Sequence, residues 1–174
     1  MRNGIAVLNV DWRGRGQSVE KGYYFDLPKA EREKLSLDVR AAVDFLAAQK
    51  AVDPTRIGIV GLVLSAKYGM LASVSDARVK TFVVLTGFLP SDSERTVINS
   101  LKIPVLYLLS GGRPRVTKAM MEHFELTRKY GSQVFLDSGS EHGFHLLETD
   151  KSLESQIVRW LNSQLSSDEL DKKR

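Results

Sequence analysis

The feature that most restricts the fold of this chain is a set of five short apolar runs: Ile5 to Val10, Arg56 to Gly61, Val79 to Thr86, Ile103 to Leu109 and Ser132 to Asp137. They are rich in β-branched and apolar residues and too short for a buried helix, so each reads as a strand. The runs hardly alternate between apolar and polar, which is the pattern of strands covered on both faces. Between them lie segments with helical spacing. Leu35, Val39, Ala42, Val43 and Leu46 share one face of a helix that starts near Asp26 and Pro28, a cap and a first-turn proline. Met120, Phe124 and Thr127 mark a second helix, ending before Gly131, and Leu153, Ile157, Trp160, Leu161 and Leu165 mark a last one. Shorter helices are expected from about Leu64 to Ser75 and from Asp92 to Leu101. Strands alternating with helices predict an α/β fold, an open and mainly parallel sheet of about five strands flanked by helices on both faces. Sites in such sheets form beyond the carboxyl ends of the strands. Those ends correspond to residues 11 to 18, 61 to 66, 87 to 93, 110 to 116 and 138 to 146.

The length of 174 residues suits one domain, expected over residues 1–165 and followed by a polar tail at 166–174. A net charge of +4 would suit an acidic partner, but the basic residues alternate with acidic ones (Lys29, Glu31, Arg32, Glu33, Lys34, Asp38, Arg40), as on a solvated helix face. Nucleic acid is therefore not an expected partner. No apolar stretch approaches the roughly 20 residues that span a bilayer, and Met1 leads straight into a strand-like run without a signal-peptide core. The expectation is a cytoplasmic protein with no membrane partner. The absence of cysteine excludes disulfides, thiolate metal sites and a cysteine nucleophile within the chain.

Three of the strand-end loops carry a resemblance. Gly4 to Val10 followed by Asp11-Trp12-Arg13-Gly14-Arg15-Gly16-Gln17-Ser18 resembles the fourth strand and following loop of α/β-hydrolases of the dienelactone-hydrolase type. Arg56-Ile-Gly-Ile-Val-Gly61 followed by Leu62-Val63-Leu64-Ser65-Ala66 looks like the strand-to-helix nucleophile elbow of the same family, and Ser140-Glu141-His142-Gly143-Phe144 looks like its catalytic-histidine loop. The motifs occur in the family's order, and the resemblance covers the chain from residue 4 to 165. It implies a serine hydrolase fold acting on carboxylic esters, with His142 as the surviving catalytic residue and with no cofactor or metal.

The departures are as informative. The elbow requires G-x-S-x-G because small flanking residues let strand and helix pack closely while the serine sits exposed on a strained turn. Here the frame reads Gly61-Leu62-Val63-Leu64-Ser65, so the nucleophile position holds Val63, which has no nucleophilic atom. Ser65 is a candidate displaced nucleophile, although a small residue inside the first helical turn also explains it. The triad acid, which holds the histidine tautomer, would follow the strand ending at Leu109. That loop reads Ser110-Gly111-Gly112-Arg113-Pro114-Arg115, and no Asp or Glu occurs between Ile103 and Met121. Asp92 and Glu141 are conceivable substitutes, the first better explained as a helix cap and the second as a solvated side chain. His145 beside His142 invites a metal reading, but no further ligand cluster accompanies the pair. Trp12 and Arg13 could stack on or clamp a ligand, with Leu62 and Leu64 beside the elbow as further binding candidates. In the resembling family this loop mainly shapes the fold, with Gly14 and Gly16 setting the turn.

The chain begins at what resembles the fourth strand, so it is expected to lack one half of the oxyanion hole and the strand between Ile5–Val10 and Arg56–Gly61. That gap should be closed by direct pairing of the two runs or by a second chain, which predicts a homodimer through this edge. Three readings of function follow. One is a catalytically impaired hydrolase homologue kept as a scaffold or binding module for a small ester-like ligand. Another is an active hydrolase of small esters or lactones using Ser65 and His142. The third is a split segment whose complement supplies the upstream strands.

Overall fold

The computed structural model describes residues 4–166; most of the tail expected at 166–174 therefore lies outside the described residues. By packing, the chain divides into two compact units, residues up to Pro54 and residues from Thr55 onward.

In the first unit, the expected single helix forms as two, α1 (Lys29–Arg32) and α2 (Leu35–Ala47). Pro28 precedes α1 as the sequence suggests, and the face predicted for α2 carries its buried residues, Leu35 and Val43. The run Ile5 to Val10 does not form a strand, and Val7 is 85% exposed. This corrects the expected count of about five strands. Strand propensity is a fit to a pleated, half-buried surface and not a preference that the backbone expresses alone, and this run enters no ladder.

The second unit contains the sheet. Its elements are β1 (Ile57–Leu62), α3 (Leu64–Ser73), β2 (Val79–Leu85), α4 (Asp92–Ile98), β3 (Val105–Ser110), α5 (Pro114–Thr127), β4 (Gln133–Asp137), α6 (Phe144–Thr149) and α7 (Ser152–Leu165). The four strands lie in chain order and every pairing is parallel, from Ile57 opposite Val79 to Ser110 opposite Asp137. Parallel neighbours need a crossover between them, and each of the three intervening helical segments supplies one.

The central strands β2 and β3 are buried on both faces, which explains their unbroken apolar sequence. Phe82 and Val84 of β2, with Val105, Tyr107 and Leu109 of β3, pack against Ala66, Met70, Ile98 and Met120 from α3, α4 and α5. The alternate residues Val83, Leu85, Leu106 and Leu108 pack against Leu146, Leu153 and Trp160 from α6 and α7. The Trp160 indole N–H donates to Thr81 Oγ1 at 2.8 Å, so the last helix is tied to the middle of the sheet by a directional bond as well as by burial. Local signals set the helix starts. Ser91, not Asp92, caps α4: its hydroxyl accepts from the Glu94 N–H while the Glu94 carboxylate accepts from the Ser91 N–H, a reciprocal capping box. Pro114 opens α5 at the first position, where a missing N–H costs nothing.

Candidate functional site

The carboxyl end of β1 turns abruptly into α3 through Val63, whose φ of 49° and ψ of −108° lie in a region that glycine visits and β-branched residues avoid. A strained turn at this place is what the resemblance to a nucleophile elbow leads one to expect, and a valine occupies it. Three features hold it. A Cβ on Gly61 would stand 2.5 Å from the Ala66 Cα, so only glycine lets strand and helix approach this closely. The Val63 N–H donates to the Leu85 carbonyl at 3.2 Å, which anchors the turn to β2. Ser65 supplies the third: its hydroxyl accepts from the Leu62 N–H and donates to the Leu62 carbonyl, each at 2.8 Å. Its one hydroxyl proton is thus engaged with the backbone it bridges.

The histidine loop meets the same end of the sheet. The Gly143 N–H donates to Thr86 Oγ1 at 3.2 Å, and Thr86 itself has a positive φ of 63° and is buried. Val63 therefore bonds to Leu85 and the His142–Gly143 peptide lies beside Thr86, so the elbow and the histidine loop sit on successive residues of one strand end. His142 is half-buried, and its Nδ1 is sealed from solvent with no hydrogen-bond partner among the described residues. Burial, and after it the positive charge of Arg113, lower the proton affinity of the ring below that of an ordinary histidine. In a triad a carboxylate on this side favours the imidazolium that forms during catalysis. Here both influences favour the neutral ring.

Arg113 is exposed and forms no salt bridge among the described residues. Its loop is held against that of the histidine. The Gly111 N–H donates to the Asp137 carbonyl at 2.9 Å, and a Cβ on Gly112 would stand 2.6 Å from the Ser140 Cα. Asp137 turns its carboxylate to the Gly139 N–H at 2.8 Å. Neither suggested substitute acid joins the ring: Asp92 lies in the first turn of α4, and Glu141, half-buried, does not hydrogen-bond Nδ1. His145 is exposed and pairs with Glu148 at 2.7 Å. Among the described residues, no group of three or more His, Asp or Glu side chains is gathered to hold a metal ion.

The other binding candidates divide between the units. Leu62 and Leu64 flank Val63 and are half-buried. In the first unit, Trp12 stacks on Tyr24 at 5.6 Å between ring centroids. Arg13 donates from Nε to Asp38 Oδ2 at 2.8 Å and from a terminal nitrogen to Glu31 at 3.0 Å, so two carboxylates already occupy its fork. A shallow cavity of about 240 Å³ opens beside it, lined by Ser18, Lys21, Leu27 and Glu31 among others. The Lys34 ammonium first, with help from Lys21, draws the Glu31 carboxyl down to about 2, so this cavity carries paired charges.

Sequence reasoning missed Thr86 and a buried network around His123. The Thr86-Gly87 dipeptide at a strand end was the available signal for the first. The second had none: the Tyr107 hydroxyl meets His123 Nδ1 at 2.7 Å, and His123 Nε2–H donates to the Ile98 carbonyl at 2.9 Å, across three elements.

Comparison with known proteins bears on the family and the fold. The profile of the dienelactone hydrolase family matches residues 15–163. Among solved structures, an esterase of Pyrococcus furiosus superposes with a TM-score of 0.70 at 15% identity, covering 90% of this chain and 70% of that one. A dienelactone hydrolase from Anabaena variabilis gives 0.64 at 16% identity, covering 80% and 70%. A 2,6-dihydroxy-pseudo-oxynicotine hydrolase gives 0.63 at 14% identity, covering 76% of this chain and only 46% of that one. At these identities the superpositions show the fold alone. None of the curated proteins compared with the chain matches it.

Proposed function

The chain belongs to the dienelactone hydrolase family, and from that premise we propose that it is a catalytically impaired member whose strand-end site serves as a binding or scaffolding surface and no longer turns over esters. The observation that carries this reading is Val63 at the elbow, with the strained dihedrals of a nucleophile position and no nucleophilic atom. Arg113 supports it independently, because a cation beside His142 opposes the imidazolium that a general base must become. In comparable triads, disabling the acid alone lowers kcat by about 10⁴.

The alternative, an active esterase or lactonase using Ser65 and His142, requires the Ser65 hydroxyl to leave both of its bonds to Leu62 before attacking a carbonyl. A homodimer belongs to the proposal as well, supported by β1, which among the described residues has a neighbouring strand on one side only. A cytoplasmic setting rests on the sequence expectation; among the described residues no helix is long and apolar enough to cross a membrane.

The test is hydrolysis of p-nitrophenyl esters. The chain should match buffer, and Val63→Ser alone should not raise the rate. Turnover that disappears in both Ser65→Ala and His142→Ala would overturn the proposal in favour of the displaced nucleophile.

A further inference from the structure

A carbonyl can only accept, so the 2.9 Å contact between His123 Nε2 and the Ile98 carbonyl fixes the proton of the neutral ring on Nε2 and leaves Nδ1 bare. Nδ1 faces the Tyr107 hydroxyl at 2.7 Å, and that oxygen lies 3.0 Å from Thr127 Oγ1. Thr127 Oγ1 stands in turn 3.3 Å from the His123 carbonyl and 3.3 Å from the Phe124 carbonyl of its own helix. All three side chains are buried. We propose that they form a proton switch inside the core: His123 takes a second proton on Nδ1 in the folded protein, the two hydroxyls reverse their hydrogen bonds, and the imidazolium tightens its hold on the end of α4.

The geometry provides an acceptor for every donor in both states. With the ring neutral, the Tyr107 O–H donates to Nδ1. The step takes one proton from water and forms one N–H bond on Nδ1, which then donates to the Tyr107 oxygen. The Tyr107 O–H turns to Thr127 Oγ1, whose own proton goes to the His123 or Phe124 carbonyl. No heavy atom has to move, and no buried polar group is left without a partner. Burial opposes the charge on the ring, while the Ile98 carbonyl favours it. The phenol facing the ring from β3 stays protonated, because burial raises its pKa. The charged groups beside the ring on the helices pair with one another at the surface, Arg95 of α4 with Glu122 of α5 and Glu125 with Arg128. The Nε2–H bond to Ile98 is kept in both states and is charge-assisted in the second, which is how the proton reaches α4.

The experiment follows the His123 ring nitrogens and the Ile98 carbonyl carbon by NMR as the pH is lowered from neutral. The expected result is a ring protonated on Nε2 alone at neutral pH that gains a proton on Nδ1 while the chain is still folded, with the Ile98 carbonyl shifting at the same midpoint. Thr127→Val removes the acceptor that the Tyr107 O–H needs only in the charged state, so the midpoint should fall by about one pH unit. Thr127→Ser keeps the hydroxyl and should restore it. A residue that merely packs would leave the midpoint where it was. A neutral ring protonated on Nδ1, unfolding before the ring takes its second proton, or an unchanged midpoint in Thr127→Val would each overturn the switch.

Discussion

Two residues with positive φ, Val63 and Thr86, stand at the strand ends that form the site, and they should answer the same substitution differently. A β-branched residue at this φ stores roughly 1–3 kcal/mol, while introducing glycine costs about 0.5–1 kcal/mol in unfolded-state entropy. Val63→Gly should therefore stabilise by about 1 kcal/mol, read from the denaturant midpoint; a lower midpoint would show that the turn is not strained. Thr86→Gly should not stabilise, because its hydroxyl accepts the Gly143 N–H and that bond would be lost. His123 provides a prediction of opposite character. Its ring is buried, with Nε2–H given to Ile98 and Nδ1 facing the Tyr107 hydroxyl, and desolvation lowers its pKa below the ordinary 6.5. The unfolded chain then takes up a proton before the folded one does. The stability from this group is complete above about 6.5 and is lost as pH falls from there toward the depressed folded value. His123→Phe should flatten that part of the stability curve, measured by thermal melts across the range, and an unchanged slope would count against it. That Val63, Arg113 and His142 lie in turns beyond strand ends was legible in the sequence because each belongs to a short motif next to an apolar run. His123 was not, because its partners come from Ile98 and Tyr107, far apart in the chain.

At the level of elements, the four runs that became strands each pair with another of their kind, whereas Ile5 to Val10 has similar composition and enters no ladder. The break between α1 and α2 left no trace in the sequence, since Glu33 and Lys34 are ordinary helix formers and the helical spacing continues across them. The attachment of α7 is a pairwise contact that spacing does not reveal. Trp160 donates to Thr81, whose hydroxyl donates in turn to the Pro104 carbonyl at 3.0 Å. Trp160→Phe should cost about 1 kcal/mol. Combined with Thr81→Val it should cost less than the sum of the two, because both remove one interaction. Strict additivity in urea denaturation would show that the bond contributes nothing. At the elbow, Gly61→Ala should destabilise by about 1–3 kcal/mol, because backbone and not a flexible side chain obstructs the new methyl.

For the whole molecule, β1 forms one margin of the sheet, and the proposed dimer through it predicts a molecular mass by light scattering near twice the 19.4 kDa of the chain; a monomer at high concentration would refute it. A strand margin that associates in this way presents main-chain donors and acceptors, so a lysine placed at Val60, which is 42% exposed, should shift the mass toward one copy. The family profile extends over both units, and the chain spans 46% to 70% of the three solved relatives described. The elbow itself has a consequence for how such chains are recognised. Gly61 against Ala66, Ser65 across Leu62 and the bond from Val63 to Leu85 are all contacts in which the side chain at position 63 takes no part. The turn is therefore held by its neighbours whatever residue stands at position 63, and chains that share it are better sought by its dihedral angles than by any one side chain.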